Sequence, residues 1–204
     1  MLPSLLIFDD FLANPDAVRA AALRLPFDGA GNYSGATSAV PLPIEGLDAF
    51  ASAAIGARVG PMPDTLHGHV RLATGGEKGR SGVHVDPAFY SGILYLTPGA
   101  PDSGGTHFFR HRRTRLDRVP LDPQAVARAG YPHAEALIED VVNRDTTRPS
   151  AWERTLAVPP RYNRLILFSP WLFHTAGPAF GRGREDGRLV GLMFWARLPA
   201  QAAA

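Results

Sequence analysis

The chain contains no cysteine and a single lysine, Lys78. The missing thiols exclude a disulfide framework, an iron–sulfur cluster, a thiolate zinc site and a cysteine nucleophile, so any metal has to be held by nitrogen and oxygen ligands. Long apolar runs are missing too, none approaching the ~20 residues of a membrane span. The first ten residues carry no basic region, and Asp9 and Asp10 interrupt the apolar run Leu5-Leu6-Ile7-Phe8 before a signal peptide could form. A soluble, cytoplasmic protein with no membrane partner is expected. Excess charge of one sign is equally scarce. The formal net charge is only +2, and its basic side is almost all arginine, which suits bidentate carboxylate or phosphate recognition but is also a habit of genome composition. So small an excess is no argument for nucleic acid.

What is present is enough for one core. At 204 residues the chain is of a size for a single domain that needs neither disulfides nor a structural metal. Residues 1–65 read as a helical and loop support. Leu5-Leu6-Ile7-Phe8 is a short buried strand, and Asn14-Pro15-Asp16 opens a helix with an N-cap, a proline at the first turn and an acid against the positive helix end. That helix runs toward Pro26. The stretch from Phe27 to Pro43 is rich in glycine and proline and reads as loop; a second helix covers Leu47 to Ile55, ended by Gly56.

From Leu66 onward the texture is of short apolar or alternating runs between glycine and proline clusters. Strands are expected over Leu66–Ala73, Val83–Val85, Ile93–Leu96, Thr106–Arg110, Thr155–Val158, Arg164–Phe168, Leu172–His174 and Arg188–Trp195. The fold class is therefore mainly β with flanking helices, a double-sheet jelly roll, or double-stranded β-helix. One helical insertion, 116–152, breaks the pattern. There Asp122-Pro123 starts a helix, Gly130 ends it, and Ala134, Leu137, Ile138, Val141 and Val142 recur at helical spacing. A lid and a cover for an exposed sheet face fit this insertion equally well.

The chemistry concentrates in Ser81-Gly82-Val83-His84-Val85-Asp86-Pro87. Successive side chains of an extended chain alternate faces, so His84 and Asp86 point to one side. A divalent metal there needs a third ligand, and His174 is the best candidate, since a jelly roll brings it back beside them. Two histidines and a carboxylate with open positions form the donor set of non-haem iron(II) oxygenases. Arg188 heads the apolar strand Leu189–Trp195. A buried arginine requires an anion, and a small dicarboxylate would supply one in bidentate geometry. Tyr95 is a phenol donor to the same carboxylate if its face points inward.

These residues resemble a known family. His84-x-Asp86, a Tyr-Leu strand, Gly104-Gly105-Thr106-His107-Phe108, His174 and a last strand opened by Arg188 resemble the 2-oxoglutarate and iron(II)-dependent dioxygenases of the prolyl-hydroxylase-like branch. More narrowly, Asp9-Asp10-Phe11-Leu12 with Asn14-Pro15, Ile93-Leu94-Tyr95-Leu96 and Tyr162-Asn163-Arg164-Leu165-Ile166-Leu167 resemble a bacterial subgroup known as a domain of unknown function. The resemblance runs from about Leu5 to Trp195. It implies Fe(II) on His84, Asp86 and His174, 2-oxoglutarate gripped by Arg188 with help from Tyr95, and O2 as oxidant, with succinate, CO2 and a hydroxylated product released. In the family the arginine lies about ten positions after the second histidine. Arg184 stands at that distance, yet Arg188 is preferred because the hydrophobic strand begins there.

Other readings are weaker on the residues. A zinc hydrolase could use the same three ligands, but no His-Glu-x-x-His helix exists: Phe108 follows His107, and the segment to His111 reads as strand. A non-catalytic jelly-roll binding module is the alternative outside the enzymes; His67-Gly68-His69 lacks the glutamate that its metal motif would require. Nucleic acid is not expected, because the basic run Arg110–Arg115 has no interleaved stacking residues and Phe194 stands where base-repair oxygenases have a second arginine. An amino acid, a peptide side chain or a small metabolite fits as substrate, and no feature fixes the oligomeric state.

Overall fold

The computed structural model describes residues 2–30 and 33–199. The chain opens with β1 (Leu5–Phe8), α1 (Pro15–Arg24), β2 (Phe27–Ala30), β3 (Ala36–Ser38), α2 (Leu47–Ile55), β4 (Val59–Pro61) and β5 (Val70–Ala73). It continues with β6 (Tyr90–Tyr95), β7 (Thr106–His111), α3 (Pro123–Arg128) and α4 (Ala134–Leu137), which runs on into a π-helical turn over Ile138–Asn143. The last strands are β8 (Trp152–Val158), β9 (Arg164–Phe168), β10 (His174–Ala176) and β11 (Arg188–Arg197).

The strands form two antiparallel sheets. The larger has the order β1-β9-β6-β11-β5-β3-β2, with β4 paired to the far end of β11; the smaller is β10-β7-β8. Alternation along the central strands assigns the faces. In β11 and β6, Val190 lies opposite Tyr95 and Leu192 opposite Ile93, while in β9 Ile166 lies opposite Ile93 and Phe168 opposite Ser91. These residues look inward and pack with Phe108 and Val158 of the small sheet. The alternate set, including Leu94, Leu165, Leu167, Leu189, Met193 and Trp195, packs outward under α1 and α2. A jelly roll with its helices on the back of one sheet results.

Both N-terminal helices begin and end as their sequences dictate. Asn14 Oδ1 accepts from the Ala17 N–H at 3.1 Å with Pro15 in the first turn, and Gly56 closes α2 in the left-handed region at φ 76°. Asp9 and Asn163 then tie this end down. Arg164 donates to the Asp9 carboxylate through Nε at 2.6 Å and Nη2 at 3.0 Å, while the Asn163 side chain exchanges two hydrogen bonds with the Leu12 backbone at 2.8 and 2.9 Å.

Several expected elements differ. The stretch from Phe27 to Pro43, read as loop, contains β2 and β3; strands of three and four residues show no period of their own and are held by pairing Ala36 and Thr37 with Leu72 and Arg71 of β5. Strand Val83–Val85 shrinks to one bridge, His84 with His174, because only two backbone hydrogen bonds, of 2.9 and 3.0 Å, pair it with β10, and the Val83 N–H turns instead to the Thr146 carbonyl. Leu66–Ala73 is strand only from Val70, since Gly68 turns at φ 78°. The strand expected at Leu172 begins at His174.

Candidate metal centre

His84 and His174 are held against each other by that bridge, each donating its N–H to the other's carbonyl. Each ring is fixed from behind. His84 Nδ1 lies 2.9 Å from the Gly82 carbonyl and His174 Nδ1 lies 2.7 Å from the Leu172 carbonyl. A carbonyl only accepts, so Nδ1 carries the proton in both rings and both Nε2 atoms keep their lone pairs. Gly82 permits this: a Cβ there would stand 2.1 Å from the Thr146 carbonyl oxygen, and the Gly82 N–H donates to Thr146 Oγ1 at 3.0 Å. Any side chain at position 82 would lever the His84 segment off its support.

The lone pairs converge on Asp86. Nε2 of His84 is 3.7 Å from Asp86 Oδ1, and Nε2 of His174 is 3.4 Å from Oδ2; one ligand atom of each residue lies within 4.8 Å of the others. Ser91 donates to Oδ2 at 3.0 Å, fixing the carboxylate from β6. A first-row metal ~2.0–2.2 Å from each donor sets neighbouring donors about 3 Å apart at a right angle, so only a small contraction separates this set from a facial site. Electrostatics agree. Burial, and next the neighbouring His174, push the His84 pKa down to about 4, so the ring is neutral at pH 7. Burial raises the Asp86 carboxyl, but a hydrogen bond from His174, the charge an imidazole carries when protonated and the Ser91 hydroxyl outweigh it and hold it at about 2; the proton that makes that bond stands at Nε2, where a metal would replace it. A neutral imidazole and an ionised carboxylate are the forms that bind metal.

The triad stands on a cavity of about 120 Å³. At ~30 Å³ per water, that is room for roughly four waters. Arg188 lines it as well, 6% exposed, with Nε donating to the Gly104 carbonyl at 2.8 Å. No carboxylate approaches it within ion-pair distance among the described residues. An unpaired buried guanidinium is costly, and an anionic ligand relieves the cost. Arg184 is elsewhere: it is exposed, reaches the Leu25 carbonyl at 2.5 Å and covers the Phe27 ring.

Tyr95 faces inward but does not line the main cavity. Its hydroxyl shares a 2.7 Å hydrogen bond with Thr106 Oγ1, and Thr106 is the residue that reaches the cavity. Burial raises the phenol pKa, opposed first by the charge of Arg188. The Gly104-Gly105-Thr106 stretch thus acts at three points. Gly104 holds Arg188, Thr106 holds Tyr95, and Gly105 allows contact with β8, where a Cβ would lie 1.8 Å from the Val158 carbonyl oxygen.

The sequence reading missed Arg71 and Tyr33. Tyr33 stacks 4.7 Å from the His84 ring, and the Arg71 guanidinium sits 5.1 Å over Tyr33. Burial, with the Asp86 charge second, lifts the Tyr33 phenol to about 12. The signal for Arg71 was a lone charge inside the strand Val70-Arg71-Leu72-Ala73; for Tyr33, set in a glycine-rich segment, there was none. No residue of the 116–152 insertion lines the cavity. The insertion instead forms its own core, in which Leu137, Val141 and Trp152 pack on Val83 and Phe173, the neighbours of the two histidines.

Solved structures share this architecture. A structure of HygX from Streptomyces hygroscopicus with nickel, 2-oxoglutarate and hygromycin B bound is 14% identical at a TM-score of 0.55, covering 95% of this chain and 83% of that one. A prolyl hydroxylase from Trichoplax adhaerens, in complex with a hypoxia inducible factor peptide fragment, is 12% identical at 0.52, covering 95% and 84%. The non-haem, 2-oxoglutarate-dependent epimerase SnoN from nogalamycin biosynthesis is 17% identical at 0.51, covering 95% and 76%. The fold is that of the 2-oxoglutarate and iron(II)-dependent oxygenases. Among curated protein sequences nothing matches. A family model does match, over residues 81–189, and the chain belongs to that family, the family of unknown function DUF6445.

Proposed function

We propose that the protein is an iron(II)- and 2-oxoglutarate-dependent oxygenase that hydroxylates a small molecule or a peptide side chain in the cytoplasm. The observation that carries this reading is the pairing, on one cavity, of a His84–Asp86–His174 donor set with a buried arginine that has no carboxylate partner among the described residues. A zinc hydrolase needs the first feature and has no use for the second.

In this reading His84, Asp86 and His174 hold iron, and Arg188 takes the distal carboxylate of 2-oxoglutarate as a charge-assisted pair. Bound iron supplies the oxidative chemistry, in which O2 decarboxylates 2-oxoglutarate to succinate and CO2 and places one oxygen atom in a substrate C–H bond. The chain orients the reactants. Gly82 and Leu172 keep both imidazoles turned with Nε2 forward, Ser91 steadies the carboxylate, and Thr106, backed by Tyr95, offers a hydroxyl near Arg188. Ile93, Phe168 and Leu192 make the walls apolar, which keeps water from the reacting groups.

The test is spectroscopic. Iron(II) and 2-oxoglutarate added without oxygen are expected to give a visible metal-to-ligand charge-transfer band, followed on aeration by one succinate per CO2. A protein that binds zinc and gives no band with iron refutes the reading.

A further inference from the structure

Arg188 is one of two arginines on the cavity, and the second has no task in the reaction just described. Arg71 sits in the middle of β5, opposite Val190 of β11 and Thr37 of β3. Arg188 lies two residues from Val190 on the same face, so the two guanidiniums share one wall. Arg71 is anchored as a donor rather than neutralised. Its Nε donates to Thr37 Oγ1 at 3.2 Å and its guanidinium covers the Tyr33 ring. Like Arg188, it has no carboxylate within ion-pair distance among the described residues.

Charge counting then limits the substrate. The residues on the cavity include a single carboxylate, Asp86, and it belongs to the donor set. The dication and the 2-oxoglutarate dianion cancel, as do Asp86 and Arg188. One positive charge, that of Arg71, is left without a counter-charge. Removing it from water without an anion is unfavourable, and no second carboxylate stands ready for a substrate ammonium group. The apolar side chains on the same cavity include Leu66, Leu192 and Phe194. They suit a hydrocarbon body.

We infer that the substrate is a monoanion, an apolar carboxylic acid without a free amino group, whose carboxylate is bound by Arg71. The inference rests on the oxygenase reading for its charge count, and Arg71 is a specificity-determining residue within it. It narrows the substrate class, since a zwitterionic amino acid would leave its ammonium group unpaired.

Matched probes test this by calorimetry: 3-phenylpropanoate, 3-phenylpropanamide and 3-phenylpropylamine, with hexanoate and hexanamide as a second pair. Each is titrated into protein carrying Mn(II) and saturating 2-oxoglutarate, and into metal-free protein. The acids are expected to bind at least tenfold tighter than their amides, with the amine not bound. Arg71→Gln should bring the acid-to-amide ratio to about one, and Arg71→Lys should keep part of the preference, which a merely structural role would not produce. Equal binding of acid and amide, binding of no probe at all, displacement of 2-oxoglutarate by the acid, or a preference that survives in Arg71→Gln would each overturn it. Failure of the oxygenase reading looks different: the charge-transfer band is missing while the acid preference and its dependence on Arg71 persist.

Discussion

Two arginines four residues apart, Arg184 and Arg188, have opposite surroundings. Arg188 is sealed between β11 and the Gly104 turn and lines the cavity; Arg184 stands outside, its charge on a backbone carbonyl and an aromatic face. Removing a charge-assisted contact costs about 1.5 to 3 kcal/mol, which is roughly tenfold to a hundredfold in affinity. Arg188→Ala should therefore weaken 2-oxoglutarate binding by that factor in an anaerobic titration of the charge-transfer band, whereas Arg184→Ala should change it less than twofold. A larger effect at Arg184 would reverse the assignment. Spacing alone favoured Arg184 and the start of the apolar strand favoured Arg188. The structure puts Arg188 and not Arg184 on the cavity, because a residue inside a paired strand has its direction fixed by register, while a loop of glycines and charges leaves direction free.

At the scale of elements, the insertion between β7 and β8 is a buttress. Its last turn meets the metal-site segment at Thr146, and its end is locked to β7 by a buried pair. His111, at the end of β7, donates from or accepts at Nδ1 with Thr114 Oγ1 and pairs through Nε2 with Asp145 Oδ2, each at 3.0 Å. Burial pushes the Asp145 carboxyl up, but the Arg148 and His111 hydrogen bonds outweigh it, and the net shift is downward. A carboxyl whose pKa is lower folded than unfolded contributes stability above its unfolded value, ~3.9, and loses it as pH falls through the folded value. Asp145→Asn should thus cost about 1 to 3 kcal/mol at pH 6. In melting curves across pH, the gap from the parent should narrow below about pH 4; a constant gap would mean the pair is not what the carboxylate serves. The sequence shows the helical period of Leu137, Val141 and Val142 but not their target. That target, Val83 and Phe173, lies on two segments some ninety positions apart, each next to a histidine of the His84–His174 bridge, and only the folded chain brings them together.

For the whole molecule, the open question is what joins the two sheets at the end where the cavity lies. Helix caps, apolar alternation and the His-x-Asp spacing were legible because each is set within a few residues. The Asp9–Arg164 and Leu12–Asn163 clamps account for two of the segments on which the family resemblance stood, since these segments bind each other. What could not be read were placements fixed by register between strands, such as Arg71 and Arg188 on one wall, and strands as short as β3. The metal site is a joint of this second kind. His174 belongs to the small sheet, whereas Asp86 is steadied by Ser91 in the large one. A metal on all three donors would staple the sheets beside the apolar contact that Phe108 and Phe168 already make between them. Binding to the native state alone stabilises by about 2.7 kcal/mol at a metal concentration a hundredfold above Kd. At roughly 2–4 °C per kcal/mol for a domain of this size, Mn(II) should raise the melting temperature by about 5 to 11 °C, and a chelator should return it. His174→Ala, which removes the small sheet's ligand, should melt at the same temperature with and without metal. An equal rise in that variant would put the metal elsewhere, and the staple with it.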